Sequence, residues 1–374
     1  MIEYLQYLKQ VYPQGARFDS LLPQSSYKNC IDLRSYNLEC LGEIGAGALS
    51  TVYKVKDMNT HEIYACKYTS LKHINGGGPC AASFIAEKAL QEIELMLKLR
   101  KKGVYGIMPL YGFYPSQDTI RKFAYLYRFI PRVLIPESSV IIELLPLAVP
   151  FRTFMDELFR SRRRLNVDQT CSIFLDILSP LEHMHDKVSV IHRDIKIDNL
   201  MLIKIPNGTV RIAISDFNIS RELQFQTDSY TAMGTPGYCN PRIMEKAINR
   251  ERVTRDDAVK ADLYGAAQCM YVLLNRGVMA PNKGEIPAPK DTPSVEFTDL
   301  LRSILNPNVS NIPDCAAIRK RIEAMMEKEH LPDRKSHNTP KMQKKVFGTE
   351  KKLYPAPLKN CGHVHKPQFP KGSF

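Results

Sequence analysis

Two features near the start of this 374-residue chain could bind a phosphate or another anion. The first is the turn GAG at residues 45–47, where the backbone of Gly45 and Gly47 can approach a phosphate closely because glycine has no Cβ. The second is Lys67 in the apolar segment EIYACKYT, where an ammonium group must reach solvent or an anion. Each alone is weak evidence, because ligand-free glycine hairpins and edge-facing lysines are common. The turn does not open a helix, which excludes a Walker loop and a dinucleotide fingerprint.

A denser group of polar residues lies in the segment IHRDIKIDNL, residues 191–200. It contains Asp194, Lys196 and Asn199, and Asp216 follows 17 residues after Asn199, at the end of the strand-like segment VRIAIS. If these were ordinary polar residues of surface loops, their joint presence would have no explanation. Together with the glycine turn and the strand lysine, they resemble the signature set of the eukaryotic-type protein kinases.

The resemblance extends over about residues 38–325 and is specific, because several independent motifs occur in the expected order. Lys196 and the run GTPGY at residues 234–238 are similar to serine/threonine kinases rather than tyrosine kinases. The implied activity is transfer of the γ-phosphoryl group of ATP to Ser and Thr hydroxyls of protein substrates, with Mg²⁺ as the metal.

The resemblance also implies a role for each motif residue. Asp194 would accept or orient the proton of the substrate hydroxyl, and Lys196 would neutralise charge on the transferred group. Lys67 would hold the α and β phosphates, whereas Asn199 and Asp216 would hold Mg²⁺, which prefers oxygen ligands. Phosphoryl transfer spreads negative charge over oxygens, so catalysis consists mostly of positioning and cationic stabilisation.

A glutamate on the following helix is implied as the partner of Lys67. Glu92 is the preferred candidate, because the spacing of the apolar residues after it matches the family's helix pattern. Glu87 and Glu94 remain alternatives, and any of the three could instead be a solvent-exposed helix residue.

The register of the resemblance also predicts a pocket for adenine. Ile142 aligns with the position at the back of this pocket, and residues 143–145 align with the linker whose backbone hydrogen-bonds the base. Each of these residues could equally belong to an ordinary core. The residues implied to contact the nucleotide are Ile44, Gly45, Gly47, Val52, Ala65, Lys67, Glu143, Leu145 and Met201.

Three further positions have implied supporting roles. Asp262, in the run DLYG, would brace the catalytic segment, so its role would be structural. Thr235 would contact the catalytic aspartate and lysine. Thr231 is the expected activation phosphosite, where a phosphate could pair with Arg193 and order the segment.

Several positions depart from the family pattern. Asn218 replaces the glycine after Asp-Phe, a mild loss because asparagine tolerates positive φ. Ser50 replaces a third turn glycine, which puts nucleotide affinity in doubt. Asn240-Pro241-Arg242 replaces Ala-Pro-Glu, and Ser310 replaces the arginine that would pair with that glutamate. Because both members of this ion pair are replaced, no single buried charge is left without a partner. We therefore expect that the activation segment is anchored differently and that Arg242 reaches solvent.

The predicted elements explain how these residues come together. Residues 38–69 predict an antiparallel meander of three strands, and residues 81–101 predict a helix. Two more strand candidates, residues 107–114 and 138–145, flank a long basic stretch at 115–137 to which we assign no function.

From about residue 151 helical patterns dominate, interrupted by short strands around Val190, Met201 and Ile212. We therefore predict an α+β, bilobal protein-kinase-like fold, with a small antiparallel β-rich N-lobe and a larger, mainly helical C-lobe. The predicted segments are a leader at 1–36, a kinase domain at 37–328 divided into lobes of about 37–145 and 146–328, and a basic Pro/Lys-rich flexible tail at 329–374.

The composition is typical of a folded intracellular protein, cytoplasmic or nuclear. Hydrophobic residues at 44% and charged residues at 24% exclude wholesale disorder and a collagen-like fibre. No apolar stretch is long enough to span a membrane, and the N-terminus lacks the continuous apolar core of a secretory signal. Nine single cysteines without a CxxC pair predict reduced thiols and no structural zinc.

The net charge of +13 is concentrated in the tail, where residues 331–374 hold nine Lys and one Arg against Asp333 and Glu350. Such a tail could bind a polyanion or an acidic partner, although a solubilising role is the simpler interpretation.

Two other functions stay open. A pseudokinase scaffold is compatible with the altered motifs at Asn218 and Arg242, but the intact lysine, aspartates and asparagine argue against it. A small-molecule kinase of related fold is the other alternative, against which the GTPGY run favours a peptide-binding segment.

Overall fold

The computed structural model describes most of the chain between residues 21 and 330. The described ranges are 21–24, 26, 30–47, 49–71, 78–129, 139–204, 210–222, 234–282 and 284–330. Most of the predicted leader, Thr231 and the predicted tail from residue 331 lie outside the described residues, so the interpretations placed on them stay predictions.

The N-lobe is built on a five-stranded antiparallel sheet in the order β1-β2-β3-β5-β4. The first three strands are the predicted meander, which is therefore confirmed. Alternate residues of β2 are buried, as expected for a strand with one face on a core. The strands are β1 (Leu38–Ala46), β2 (Thr51–Asp57), β3 (Ile63–Ser70), β4 (Gly112–Tyr114) and β5 (Val140–Pro146).

Each face of this sheet packs against different residues. The face turned away from the C-lobe carries a separate buried group, here called the outer cluster, made of Leu33, Leu38, Tyr53, Val55, Cys66, Val140 and Ile142. Residues that are directly opposite in an antiparallel pair share a face. Lys67 pairs with Glu143 and neighbours Cys66, so both lie on the face opposite the outer cluster.

Two helices pack together beside the sheet. The predicted helix is α1 (Gly78–Lys101), and a second helix, α2 (Gln117–Phe129), lies in the basic stretch for which we predicted no element. Of the predicted strand at 107–114, only β4 forms. The segment before β4 instead pairs with the C-lobe, where the Met108 amide donates to the Ile214 carbonyl at 2.7 Å.

The C-lobe is mainly helical, which confirms the predicted bilobal α+β fold. Its helices are α3 (Phe151–Arg160), α4 (Val167–His183), α5 (Pro241–Ile248), α6 (Arg255–Leu274), α7 (Val295–Ile304) and α8 (Cys315–His330). Its short strands are β6 (Val149–Pro150), β7 (Val190–Ile191), β8 (Leu200–Lys204), β9 (Val210–Ile214) and β10 (Arg221–Glu222).

Helix α6 is the buried centre of this lobe. It begins with a capping box, in which Thr254 and Asp257 each accept the other's backbone N–H. Gly265 allows the helix to approach the catalytic segment, because a Cβ there would lie 2.7 Å from the Ile195 carbonyl oxygen. The start and the packing of α6 therefore fix Asp262, which lies between these two positions.

Within the described ranges, none of the helices combines the length and apolar character that crossing a membrane requires. Seven cysteines in these ranges are free thiols, namely Cys30, Cys40, Cys66, Cys171, Cys239, Cys269 and Cys315.

Candidate active site

Lys67 and Glu92 form the link between the sheet and α1. The Lys67 Nζ lies 2.5 Å from the Glu92 Oε2, and both side chains are largely buried. Burial would lower the pKa of Lys67, but the carboxylates of Glu143 and Glu92 outweigh it and raise the pKa, so the ammonium stays charged. The alternatives lie elsewhere: Glu87 is exposed, and Glu94 pairs with Arg121.

Glu143 lies directly opposite Lys67 on the same face of the sheet, although residues 143–145 were expected to form the linker to the C-lobe. Its carboxylate is 3.6 Å from Nζ, and both of its oxygens are buried without a hydrogen bond. Burial raises the pKa of Glu143 to about 8. The predicted position of Ile142 at the back of the pocket is wrong, because Ile142 points into the outer cluster. Glu143 is in mid-strand, paired also with Phe113 of β4, rather than in a linker.

A row of residues runs across the inner face of the N-lobe sheet. Gly45 is opposite Val52, Val52 is opposite Lys67, and Lys67 is opposite Glu143. A Cβ added at Gly45 or Gly47 would meet only ordinary contacts at 3.6–4.0 Å, so the fold itself does not require glycine at either position. Close approach to a ligand is therefore the remaining physical reason for glycine in this turn.

The residues predicted to contact adenine meet at the junction of the lobes. Ala65 pairs with Leu145, and both Leu145 and Met201 pack against one small buried group formed by Met108, Ala148, Ile203 and Ala213. The predicted neighbours Leu145 and Met201, from β5 and β8, therefore come together although more than fifty residues separate them.

The Asp194 carboxylate is held by residues of two segments. On Oδ1 it accepts hydrogen bonds from the Thr235 amide at 3.0 Å and the Thr235 hydroxyl at 2.8 Å. On Oδ2 it accepts from the Lys196 Nζ at 2.6 Å and the Asn199 Nδ2 at 3.2 Å. The Lys196 Nζ also reaches the Thr235 Oγ1 at 2.9 Å, which confirms the predicted contacts of Thr235.

Asp262 braces this segment from α6, as predicted. Its carboxylate accepts the backbone N–H groups of His192 and Arg193, each at 2.8 Å, and contacts the His185 Nε2 at 2.9 Å. Burial alone would raise the pKa of Asp262, but the hydrogen bonds from His185 and the His192 backbone keep it below its usual value. Asp262 therefore stays ionised and fixes the chain just before Asp194.

His192 joins the catalytic segment to the chain before Asp216. Burial lowers the pKa of His192, so the ring is neutral. Its Nδ1 accepts the Asp194 N–H at 3.3 Å, and its Nε2 lies 3.2 Å from the Ser215 carbonyl oxygen. These partners assign the proton to Nε2. Phe217 is fully buried and packs edge-on against the His192 ring.

Asp216 and Asn199 carry the atoms that could hold a cation. The Asp216 Oδ1 is buried and has no hydrogen-bond partner, and its backbone has a left-handed φ of 67°. The Asn199 Nδ2 donates to Asp194, which leaves the amide oxygen as the free end of the side chain. A carboxylate and an amide oxygen fit Mg²⁺. The left-handed residue in this turn is Asp216 and not Asn218, so the mild loss expected from asparagine at a positive φ does not arise.

The activation segment is anchored through Asn240, a residue whose role the sequence did not assign. Asn240 is fully buried; its Nδ2 donates to the Asn306 carbonyl at 2.9 Å and its Oδ1 accepts the Arg242 N–H at 2.9 Å. Asparagine followed by proline is a typical helix start, and this signal could have identified the cap. Arg242 is 46% exposed and pairs with surface glutamates, which confirms that it reaches solvent.

Comparisons with known proteins agree with this geometry. The family model described as "Protein kinase domain" matches residues 38–329. The chain is 25% identical over 255 residues to serine/threonine-protein kinase PLK4 of Drosophila virilis, covering 68% of this chain and 27% of that protein. It is 24% identical over 232 residues to PLK4 of Drosophila melanogaster, covering 62% and 24%.

A third relative is the meiosis-specific serine/threonine-protein kinase mek1 of Schizosaccharomyces pombe, 26% identical over 237 residues, which cover 62% of this chain and 45% of that protein. The chain thus spans about a quarter of the length of the PLK4 relatives and less than half of mek1.

Proposed function

This chain belongs to the protein kinase domain family, and we propose that it is a serine/threonine kinase that transfers the γ-phosphoryl group of ATP to hydroxyls of protein substrates. The observation that carries the proposal is the convergence of Lys67, paired with Glu92, and the acidic residues of the C-lobe. Asp216 lies close enough to Lys67 to raise the pKa of its ammonium group. Relatives named as serine/threonine kinases support the choice of acceptor.

Asp194 would accept the proton of the substrate hydroxyl. Because Thr235 and Lys196 hold its two oxygens, the orientation of the carboxylate is fixed before a substrate binds, which lowers the entropic cost of reaction. The Lys196 ammonium, which lies 2.6 Å from the Asp194 carboxylate, would stabilise negative charge that develops on the transferred phosphoryl group.

The nucleotide would bind between the lobes. The Lys67 ammonium would bind the α and β phosphates under the glycine turn, and Asp216 and Asn199 would hold Mg²⁺. When bound, this cation neutralises charge on the phosphate oxygens. The residues proposed to contact the nucleotide are Ile44, Gly45, Gly47, Val52, Ala65, Lys67, Leu145 and Met201.

A direct test measures phosphate transfer from Mg²⁺-ATP to a degenerate Ser/Thr/Tyr peptide library and a general protein substrate. We expect turnover on Ser and Thr, abolished by Asp194→Asn. Asp299→Asn is the matched control, because it removes a carboxylate that is exposed on α7 and far from the site. Phosphoamino acid analysis of the products reports the acceptor.

Three outcomes would contradict the proposal. Nucleotide binding without turnover would indicate a scaffold, and transfer to choline or aminoglycosides but not to peptides would indicate a small-molecule kinase. Turnover that persists in Asp194→Asn would exclude Asp194 as the base.

We also propose that the reaction takes place inside the cell, in the cytoplasm or nucleus. The free thiols of the described cysteines support a reducing compartment. Fractionation of cells that express the tagged chain tests this location, and recovery from the culture medium would contradict it.

A further inference from the structure

We propose that α2 is an internal brace that keeps α1 where Glu92 reaches Lys67, so that Ser83, Ile120 and Arg121 are positioning residues for the reaction. This inference rests on the proposed function, because the pair of Glu92 with Lys67 matters for catalysis only in a kinase.

The first contact is a buried hydrogen bond between α1 and α2. The Ser83 Oγ donates to the Ala124 carbonyl at 2.7 Å, and both residues are buried. Ile120, one turn earlier on α2, is fully buried in the main core. These contacts fix the position of α2 along the N-terminal half of α1.

The second contact is an ion pair near the middle of α1. Arg121 of α2 pairs with Glu94, and both side chains are about half exposed. Arg121 also pairs with Asp118 at 2.9 Å, one turn earlier on its own helix. The Asp118 contact orients the guanidinium toward Glu94, so the pair fixes the rotation of α1 relative to α2.

Helical geometry places the brace on the side of α1 that faces away from Lys67. At 100° per residue, Ser83 and Glu94 are eleven residues apart and lie about 20° from each other around α1. Glu92, two residues from Glu94, lies about 200° away and thus on the opposite side. Packing of α2 against the Ser83 and Glu94 face therefore presses Glu92 toward the sheet.

A third side of α1 is fixed by the chain that follows Asp216. The Gln91 Nε2 donates to the Ser220 carbonyl at 3.0 Å, and the Lys98 Nζ lies 2.5 Å from a carboxylate oxygen of Glu222 in β10. Helix α1 is therefore contacted by α2, by β3 and by β10 of its own chain. Helix α2 thus covers the face of α1 that carries Ser83 and Glu94.

The decisive experiment is a double-mutant cycle between Ile120→Ala and Glu92→Gln. If α2 acts through Glu92, Ile120→Ala lowers kcat by roughly tenfold in the unsubstituted chain, with KM for ATP changed less than twofold. The same change has little further effect in Glu92→Gln, because the position it maintains no longer matters. If the two fold-reductions in kcat multiply in the double variant, the proposal is overturned. General destabilisation by Ile120→Ala would lower kcat independently of Glu92 and so would give this multiplied loss.

A second set of variants avoids any risk to the core. Arg121→Glu places like charges together and is expected to lower kcat by about threefold, whereas the swap Glu94→Arg with Arg121→Glu restores it. Lys122→Glu is the matched control, because it reverses a charge at the next residue, which is exposed. A swap that does not recover kcat would exclude the ion pair as part of the brace.

Hydrogen exchange measured by mass spectrometry tests the brace without any turnover. Ile120→Ala is expected to speed amide exchange in α2 and also in α1 around Glu92, with β8 and β9 unchanged. Faster exchange confined to α2 would overturn the brace. This measurement does not depend on enzyme activity. Failure of the brace therefore appears in the exchange rates, whereas failure of the kinase proposal appears as absence of turnover in the unsubstituted chain.

Discussion

Glu143 lies directly opposite Lys67 in the β3–β5 pair, with 3.6 Å between its carboxylate and the ammonium. Lys67 therefore has two carboxylate neighbours, one on a helix and one on a strand. The strand carboxylate is buried and forms no hydrogen bond, which is costly for an ionised group. The protonation of Glu143 consequently affects both the stability of the N-lobe and the charge around Lys67.

Glu143→Gln is expected to stabilise the protein increasingly as pH rises. Burial raises the pKa of Glu143 from an ordinary 4.5 to about 8, so the folded state holds the proton more tightly than the unfolded state. The stability that this proton confers is complete below about pH 4.5 and is lost as pH rises through about 8. Urea unfolding at pH 5, 7 and 9 measures the free energy of unfolding of both proteins. The value for the variant should rise relative to that of the unsubstituted chain, by up to about 1 kcal/mol per pH unit.

Glu296→Gln corrects this comparison for the change in net charge, because that carboxylate is exposed on α7. A stability difference between Glu143→Gln and the unsubstituted chain that stays constant over this pH range would contradict the prediction.

Glu92→Gln is expected to lower kcat by roughly 10- to 100-fold and to change KM for ATP much less. The amide cannot hold the Lys67 ammonium as an ion pair, so the ammonium is less well positioned for phosphoryl transfer, whereas the other residues proposed to contact the nucleotide are unchanged. Steady-state kinetics with varied ATP separate the two parameters. Glu87→Gln on the same helix is the matched control, and an equal loss in this exposed variant would contradict the role of Glu92.

Thr235→Ala should lower kcat by about tenfold, because the hydroxyl links Asp194 to Lys196. The backbone N–H of residue 235 remains and keeps part of the contact with Asp194. Thr235→Ser retains the hydroxyl, so its kcat should stay within about twofold of the unsubstituted chain. If alanine and serine lower kcat equally, the contribution comes from the methyl group and not from the hydrogen bonds.

The grouping of the candidate site residues was predictable because they lie close together in sequence or follow a regular spacing. Asp194, Lys196 and Asn199 lie within a run of six positions, and the helical spacing around Glu92 correctly favoured it over Glu94 as the partner of Lys67. The error at Ile142 was a slip of one residue along a strand. Since side chains alternate with a period of two, such a slip exchanges the two faces of a sheet.

Other features depend on tertiary contacts that local patterns do not encode. The left-handed φ lies at Asp216 instead of Asn218, and the residue types alone did not distinguish the two positions, because aspartate and asparagine both tolerate positive φ. Helix α2 did have a local signal, namely the apolar spacing of Ile120, Phe123 and Ala124. What the sequence could not provide was the face of α1 on which that helix packs.

Asn240→Ala should lower the free energy of unfolding by about 2 kcal/mol. The change removes a helix N-cap and leaves the partly buried Asn306 carbonyl without its donor. Arg242→Ala is the matched comparison and should cost at most about 0.5 kcal/mol, since exposed ion pairs contribute little. Urea denaturation measures both values, and an equal cost at the two positions would contradict Asn240 as the anchor.

Two glycine substitutions should separate ligand binding from folding. A Cβ at Gly47 meets only ordinary contacts, so Gly47→Ala should leave the melting temperature within about 1 °C and raise KM for ATP by roughly 3- to 10-fold.

A Cβ at Gly234 would lie 2.7 Å from the Arg193 carbonyl oxygen, and the residue has a φ of 137°. Gly234→Ala should therefore destabilise the protein by about 2 kcal/mol or more and lower kcat, because the strain falls next to Thr235.

Thermal unfolding and ATP titration of both variants complete this test. A lower melting temperature in Gly47→Ala would mean that the turn needs glycine for its own conformation. In that case the approach of a phosphate would no longer be the reason for glycine at this position, and the proposed nucleotide site would lose its support from the turn.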